Sequence, residues 1–393
     1  MKEKSNFVCI TYTKHSFQYE KIFTDKVKSI LSSFQIVKNK ARQDCFCQTV
    51  LGLIKSRKVQ LPHIADAIKL EKSGVQVSSI IHRLEDFFRE SSLDYDAIAL
   101  LLVLFLGNKS KLRLCIDRTN WEFGTCCVNI LMVIVSDGTT HVPLYFELLD
   151  NKNGNSNSEQ RIAIIEKIIA LIGVDRIGVV IGDREFIGHT WLKYLKDHGV
   201  NFCVRVPKHH QIEKSDGSKH LAEDLATDKP LYLQNCMVDG VWVQVYLKKL
   251  EQGDLLFLIG NIAIASYLGT IYKKRWTIET CFQSFKDRGF ALESTQMKDL
   301  GKLKKLVAIV SIAFAICVNL GIYQDKKVEK IKIKNHTYKK NSFCRVGIDT
   351  MKNLLKGTVC EFEQYIDKFC RYLLIKLHKY RKNKNTTNSL STS

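Results

Sequence analysis

The sequence lacks the patterns that mark several common classes of enzyme and metal protein. It contains no P-loop, no glycine pattern of a dinucleotide-binding fold and no nucleophile elbow. Its 13 cysteines show no repeated spacing, and neither Cys45 and Cys47 nor the adjacent Cys126 and Cys127 has the separation of a zinc-binding Cys-x-x-Cys pair. The chain therefore lacks the signatures by which P-loop hydrolases, Rossmann dehydrogenases, α/β-hydrolases and Cys-x-x-Cys zinc modules are recognised.

Signals for export are also missing. The N-terminal segment has no continuous apolar stretch, so we expect no signal peptide. Cysteines such as Cys115, Cys203 and Cys317 lie in apolar runs, a usage that suits a reducing cytoplasm. The one long apolar run, Leu306 to Tyr323, is at the lower length limit for spanning a bilayer, roughly 17 to 25 residues. We interpret it as a buried core helix and predict a cytoplasmic protein with no membrane partner.

Acidic residues are scarce relative to basic ones. Lysine and arginine outnumber aspartate and glutamate by 60 to 40, which gives a formal net charge of +20. The excess is concentrated after Tyr323, where 17 basic and 6 acidic side chains occur. Such a surplus favours a polyanionic partner through counter-ion release, although a lysine-rich soluble surface is the simpler interpretation. A hydrophobic content of 45% is sufficient for a core and argues against global disorder.

The hydrophobic pattern predicts a helical N-terminal part followed by an α/β region. Two short helices, Leu61 to Leu70 and a second one capped by Ser78 or Ser79 and running to Phe88, resemble a helix-turn-helix. Recognition of DNA by the second helix and a purely structural helical bundle are both open. From Lys111 onward, short apolar strands alternate with helices, which predicts an α/β core with a mixed sheet. Its strands are Leu112–Ile116, Val128–Val135, His141–Leu148, Ile177–Ile181 and Asn201–Val206.

A second group of strands follows between 207 and 262. Asp239-Gly240 predicts a two-residue hairpin between Leu231–Val238 and Val241–Leu250, and Leu255–Ile259 follows after a longer turn. These strands predict an antiparallel insertion in the α/β core.

Candidate catalytic groups lie at strand ends and on one predicted helix. Asp117 and Asp183 each follow an apolar strand directly, and such carboxylates converge on a hard divalent cation if the strands are neighbours. Tyr272, Arg275, Glu279 and Lys286 fall within an arc of roughly 60° at about 100° per residue. A carboxylate flanked by phosphate-binding groups suits a metal held beside a nucleic-acid backbone. Taken singly, an aspartate after a strand is usually a turn or cap residue, and cations on a helix face are usually solvated.

The chain resembles the DDE transposases of bacterial insertion sequences, of the insertion-sequence family 4 type. The stretch YKKRWTIETCFQSFK carries that family's Tyr-Arg-Glu-Lys spacing at the four helix positions, with Trp276 after the arginine. LCIDRTNW and VVIGDREF resemble the first and second acidic motifs, and NSFCRVGIDTMKNLL resembles a C-terminal segment of the family. The resemblance covers roughly 111–355.

This resemblance implies an RNase H-like core, interrupted by a β-strand insertion, with a metal-binding triad. The triad is Asp117, Asp183 and Glu279, and the cofactor is Mg²⁺, for which Mn²⁺ substitutes. Five domains follow: a helical DNA-binding domain (1–106), the first part of the catalytic core (107–206), the β-insertion (207–262), the second part of the core (263–323) and a basic helical C-terminal region ending in a flexible tail (324–393).

The resemblance also implies the groups that contact DNA. Tyr272, Arg275 and Lys286 are expected to contact phosphates, and Trp276 and Arg184 are counted with the DNA-binding residues. Core packing is the simpler interpretation of Trp242, and stacking on an unstacked base is the role that the resemblance implies.

The implied function is a transposase that cuts phosphodiesters at the inverted repeats of its element and joins the ends to target DNA. Its partners are double-stranded DNA and a second copy of the chain, paired in the DNA complex. Two alternatives stay open: a catalytically inactive DNA-binding remnant, and a generic RNase H-like Mg²⁺-dependent nuclease.

Overall fold

A computed structural model describes most of the chain. The described residues are 22, 25–69, 74–106, 111–123, 126–149, 154–251, 253–286, 288–295, 297–334, 339–354 and 356–390. The chain forms two compact units. The helical unit contains Met1–Asn108, Glu122–Cys126 and Phe282–Ser393, and the sheet unit contains Lys109–Trp121 and Cys127–Cys281.

Helices occur along the whole described chain. In chain order they are α1 (Lys40–Ser56), α2 (Leu61–Lys69), α3 (Val77–Glu90), α4 (Tyr95–Phe105), α5 (Ser158–Ile172), α6 (His189–Asp197), α7 (Ala222–Leu225), α8 (Tyr267–Tyr272), α9 (Trp276–Phe285), α10 (Leu300–Tyr323), α11 (Phe343–Leu354) and α12 (Val359–Leu390). Residues 25–32 are also helical.

Side-chain caps explain where several helices begin. Asn39, Asp94 and Asp299 each accept a hydrogen bond from a backbone N–H in the first turn of α1, α4 and α10. Asn157 forms a reciprocal capping box with Gln160 at the start of α5. These caps satisfy donors that have no partner within the helix.

One expectation for the helical unit is wrong in detail. Helix α3 begins at Val77 after Gln76, which makes no side-chain cap, so neither Ser78 nor Ser79 is the capping residue. Helix α12 continues to Leu390, because no glycine or proline interrupts it.

The apolar run that begins at Leu306 lies within α10. This helix is long and apolar enough to cross a membrane by length and composition, yet its apolar window is completely buried inside the protein. Helix α11 packs closely against it. A Cβ on Gly347 would lie 1.9 Å from the carbonyl oxygen of Cys317, and one on Gly321 would lie 1.9 Å from that of Phe343. The expected core helix is thus present, with glycine allowing the two backbones to approach.

The strands of the described residues form one ten-stranded mixed sheet in the order β3-β2-β1-β4-β5-β10-β9-β8-β6-β7. They are β1 (Leu112–Phe123), β2 (Cys126–Ser136), β3 (His141–Leu149), β4 (Ile177–Gly182), β5 (Phe202–Arg205), β6 (Gln211–Glu213), β7 (Lys219–Leu221), β8 (Leu231–Val238), β9 (Val241–Lys249) and β10 (Leu255–Gly260). Strands β1, β4 and β5 pair in parallel, and β10 pairs antiparallel with β5. The predicted mixed α/β sheet is confirmed.

The strands between 207 and 262 extend this sheet. Strands β10, β9, β8, β6 and β7 pair antiparallel in succession. The predicted hairpin at Asp239-Gly240 is present, and both residues have positive φ angles of 48° and 70°. Positive φ at both central positions is the geometry of a tight type I′ turn. Strands β6 and β7 were not predicted, because three residues are too few to show an alternating pattern.

Candidate active site

Asp117 and Asp183 lie level with each other on neighbouring parallel strands. The β1–β4 register pairs Cys115 with Ile181, and two further residues along each chain give Asp117 and Asp183. Asp183 directly follows β4, as expected. Asp117 does not end its strand, because β1 continues to Phe123, although the pairing of β1 with β4 ends at Cys115. The sheet therefore brings both carboxylates to the same edge.

The glycine before Asp183 has a packing reason. A Cβ on Gly182 would lie 2.8 Å from the Cβ of Phe186, so only glycine leaves room for that ring. The backbone N–H of Phe186 donates to the carbonyl of Asp183 over 2.9 Å, which turns the chain at once. Asp183 is thus fixed at the beginning of a tight turn.

The segment that carries Tyr272 to Lys286 is not one continuous α-helix, contrary to expectation. A 3₁₀ turn, Lys273–Arg275, separates α8 from α9, and Lys286 lies one residue beyond the end of α9. In 3₁₀ geometry residues i and i+3 are eclipsed, so Tyr272 and Arg275 still share a side. Arg275 and Glu279 are then neighbours at i and i+4.

The guanidinium of Arg275 contacts all three predicted metal ligands. Its Nη1 lies 3.1 Å from Asp117 Oδ2 and 3.9 Å from Asp183 Oδ2. Its Nη2 donates to Glu279 Oε1. The structure therefore gathers around one cation three carboxylates that are 66 and 96 residues apart along the sequence.

Tyr272 joins the same cluster. Its hydroxyl donates to Asp183 Oδ1 over 2.9 Å, and the Arg275 guanidinium lies 5.7 Å from the centre of its ring. Burial and the adjacent Asp183 carboxylate raise the pKa of Tyr272, so the phenol stays neutral and donates a hydrogen bond to the aspartate.

Burial also shifts the pKa of Asp117. It raises the pKa of Asp117 from 3.8 to about 6, against the opposing effects of the Arg118 backbone N–H and the Arg275 guanidinium. Burial alone would lower the pKa of Arg275, but Tyr272 and the surrounding carboxylates raise it. The arginine thus stays charged among groups that favour a cation.

A buried network stands behind Asp117, and most of it was missed from the sequence. Arg118 donates from its backbone to Asp117 over 2.8 Å and from Nε to Glu185 over 3.0 Å. Ser156 donates to Glu185, and the buried Arg161 in turn donates to Ser156 over 2.9 Å. Glu185 holds the side chain of Arg118 through this ion pair. The Asp-Arg pair in LCIDRTNW was the only sequence signal for Arg118.

The other predicted DNA-binding residues lie outside this cluster of contacts. Arg184 forms an ion pair with Asp254 at 2.9 Å, and Lys286 pairs with Glu293 at 2.8 Å. Trp276 is 63% exposed at the start of α9. Trp242 is 44% exposed on β9, where Val241 and Val243 point into the core, so the expectation that it packs in the core is wrong.

The three carboxylates fit a divalent cation in chemistry but not in their present spacing. Carboxylate oxygens are the donors that Mg²⁺ and Mn²⁺ prefer. Within the described residues, however, no three histidine, cysteine, aspartate or glutamate side chains stand close enough to hold one metal ion. The Arg275 guanidinium lies where these oxygens converge.

Comparison with known proteins identifies the family. The family model described as a transposase DDE domain matches residues 108–317, more than half of the chain. The chain belongs to the transposase DDE domain family. The matched range of this DDE domain contains Asp117, Asp183 and Glu279.

Matches to individual proteins are weaker than the match to the family model. No curated protein sequence matches the chain. Among solved structures, the cryo-EM structure of the piggyBac transposase synaptic complex with hairpin DNA is similar at 13% sequence identity and a TM-score of 0.48. That match covers 93% of this chain and 84% of the other.

Proposed function

We propose that this protein is an active transposase that cuts and joins DNA. It binds the terminal inverted repeats of its own element, hydrolyses a phosphodiester at each end and joins the freed 3′-hydroxyl to target DNA. The observation that carries the proposal is the convergence of Asp117, Asp183 and Glu279 on one point at the edge of the sheet. The family match supports transposition as the biological context.

The proposal includes a divalent metal cofactor. Asp117, Asp183 and Glu279 would hold Mg²⁺, with Mn²⁺ as a substitute, and the ion would activate the attacking oxygen and stabilise the leaving oxygen at a phosphodiester. The oxygen-only donor set supports a hard cation. Arg118, held by Glu185 over 3.0 Å, keeps its backbone N–H on Asp117 and so orients that carboxylate.

DNA contacts are assigned to six side chains. Tyr272, Arg275 and Lys286 are proposed to contact phosphates, and Arg184 and Trp276 to lie along the DNA path; Trp242 is proposed to stack on an unstacked base. The exposure of both tryptophans supports these roles, since an aromatic ring must be accessible to stack on a base.

Further assignments rest on the sequence resemblance. They are an RNase H-like core, membership of the insertion-sequence family 4 type in a bacterial element, the five domains given above and a homodimer in the DNA complex. The mixed parallel and antiparallel sheet supports the first of these. A cytoplasmic location is proposed from the cysteine usage and the absence of an N-terminal apolar stretch.

A substitution of the third carboxylate tests catalysis. Glu279→Gln keeps the size of the side chain but removes its charge, so we expect cleavage to fall by on the order of a hundredfold or more, with end binding retained. Cleavage and strand transfer are measured with Mn²⁺ on a duplex bearing the inverted repeats that flank the gene. Glu147→Gln is the matched control, because Glu147 pairs with Lys167 on the surface of the same unit.

Three results would contradict the proposal. Cutting by Glu279→Gln at the parental rate would remove Glu279 from the site. Equal cutting of a random duplex and of the element ends would indicate a generic nuclease. Binding without any cleavage by the parental protein would indicate an inactive DNA-binding remnant.

A further inference from the structure

Arg275 occupies the centre of the carboxylate cluster. Its two terminal nitrogens contact oxygens of Asp117, Asp183 and Glu279, and its side chain is only 17% exposed. A guanidinium has several donors in a planar fork, which allows one side chain to bridge acids from different elements. The three carboxylates therefore have a common cation that belongs to the chain itself.

This single cation does not balance the charge of the site. Three ionised carboxylates and one guanidinium leave an excess of negative charge. In the described part of the chain, no second lysine, arginine or histidine lies within ion-pair distance of Asp117, Asp183 or Glu279. The nearby Arg118 directs its side chain to Glu185 instead. The cluster thus has a net attraction for a further or stronger cation.

A metal ion and the guanidinium would compete for the same oxygens. Arg275 contacts Asp117 Oδ2 and Glu279 Oε1, and the other Asp117 oxygen, Oδ1, accepts a hydrogen bond from the Arg118 backbone N–H, so a divalent ion held by these residues would draw on carboxylates that are already engaged. Two cations placed at one point in a partly buried site repel each other strongly. The carboxylates can close on a metal only after the guanidinium has moved away.

We propose that Arg275 is an internal placeholder that occupies the metal site of the DNA-free protein and must be displaced for a divalent ion to bind. The inference rests on the metal triad of the proposed function and adds a competitor to it. It implies that the DNA-free protein has a low affinity for the metal ion, while Arg275 keeps the three carboxylates close together. The displaced guanidinium then needs another anion.

Metal binding without DNA tests the placeholder directly. Binding of Mn²⁺ to the full-length protein is measured by titration calorimetry and by the electron paramagnetic resonance signal of free Mn²⁺. Arg275→Gln removes the competing cation, so we expect it to bind Mn²⁺ more tightly than the parental protein, by about tenfold or more. Added Mn²⁺ should also raise the Tm of Arg275→Gln more than that of the parent.

Two further variants keep the test decisive. Arg275→Lys retains a positive charge without the two-armed fork, so its gain in affinity should be intermediate, and it serves if Arg275→Gln does not fold. Arg345→Gln is the matched control: Arg345 also pairs with an acid at i+4, Asp349, but on the exposed face of α11, and its loss should leave Mn²⁺ affinity unchanged. Asp117→Asn added to Arg275→Gln should abolish the gain.

The possible outcomes separate the two proposals. Equal Mn²⁺ affinity in the parental and Arg275 variants, lost in both on Asp117→Asn, would overturn the placeholder and leave the metal triad standing. Weaker binding by Arg275→Gln would make Arg275 a supporting residue and overturn the inference as well. Mn²⁺ affinity that is unchanged by Asp117→Asn in every variant would refute the metal triad itself.

Discussion

Asp117 is a carboxylate placed where its surroundings oppose its charge. Burial raises the pKa of Asp117 to about 6, although it accepts a hydrogen bond from a backbone N–H and contacts Arg275. A residue chosen for stability alone would not be ionisable here. The metal-binding role proposed for Asp117 accounts for this cost, since functional residues often lower stability in this way.

The sign of this effect gives a pH prediction. Between pH 3.8 and about 6 the folded protein keeps a proton on Asp117 that the unfolded chain has released, so the contribution of this group to stability falls as pH rises through that interval. Asp117→Asn should therefore unfold at higher denaturant concentration than the parent above about pH 7 in metal-free buffer, and the difference should shrink toward pH 5.

Asp197→Asn provides the opposite control. A hydrogen bond from Lys193 lowers the pKa of the exposed Asp197, so removal of its charge should give no gain at neutral pH. If Asp117→Asn were less stable than the parent at neutral pH, the ionised carboxylate would be contributing stability to the fold.

At the scale of elements, close approach of α10 and α11 shapes the helical unit. The two helices contact through Gly321 and Gly347, each of which faces a backbone carbonyl of the other helix. Together with the contacts that α10 makes with α1 and α4, this contact buries an apolar helix of 24 residues in protein. Packing rather than a bilayer provides its apolar environment.

A single methyl group tests this packing. Gly347→Ala would place a Cβ 1.9 Å from the Cys317 carbonyl oxygen, so the helices must separate and we expect a loss on the order of 2 kcal/mol in the free energy of unfolding. Gly301→Ala is the matched control on α10, since only Asp299 lies nearby, at 3.2 Å; it should be neutral or stabilise by up to about 1 kcal/mol. Equal effects of the two changes in denaturant unfolding would contradict the close approach.

At the scale of the whole molecule, charge is unevenly distributed along the chain. The formal charge is +20, and 17 basic and 6 acidic side chains occur from Tyr323 onward. Several of these lysines, including Lys326, Lys327, Lys330 and Lys332, are described, and all four of these are exposed. A polyanion that contacts them would release bound counter-ions.

Salt dependence measures this contribution. We expect the affinity for duplex DNA to fall steeply between about 50 and 200 mM salt, and replacement of these four lysines by glutamine to reduce the slope of log affinity against log salt by up to about 0.9 per lost phosphate contact. Fluorescence anisotropy at several salt concentrations gives both slopes. An unchanged slope would mean that this segment does not contact the phosphate backbone.

Local signals account for much of what the sequence predicted correctly. Asp239-Gly240 specified its hairpin because both residues adopt positive φ, and Gly182-Asp183 marked the end of β4. The alternation of side chains along β9 also predicts that Trp242 faces outward, since its neighbours Val241 and Val243 point inward. The expectation of core packing gave more weight to the preference for burying a large aromatic ring. The 3₁₀ turn at Lys273–Arg275 was missed, because residue spacing alone does not distinguish it from an α-helix.

The sequence by itself determined the chemical groups, the strands that carry two aspartates and the short spacing from Tyr272 to Glu279. Only the tertiary structure decided that β1 and β4 are parallel neighbours and that Arg275 lies among the three carboxylates. The physical reason is range: turns, caps and helix faces depend on residues a few positions apart. The cluster depends on which distant strands pair, and on the attraction between one cation and acids brought together by that pairing.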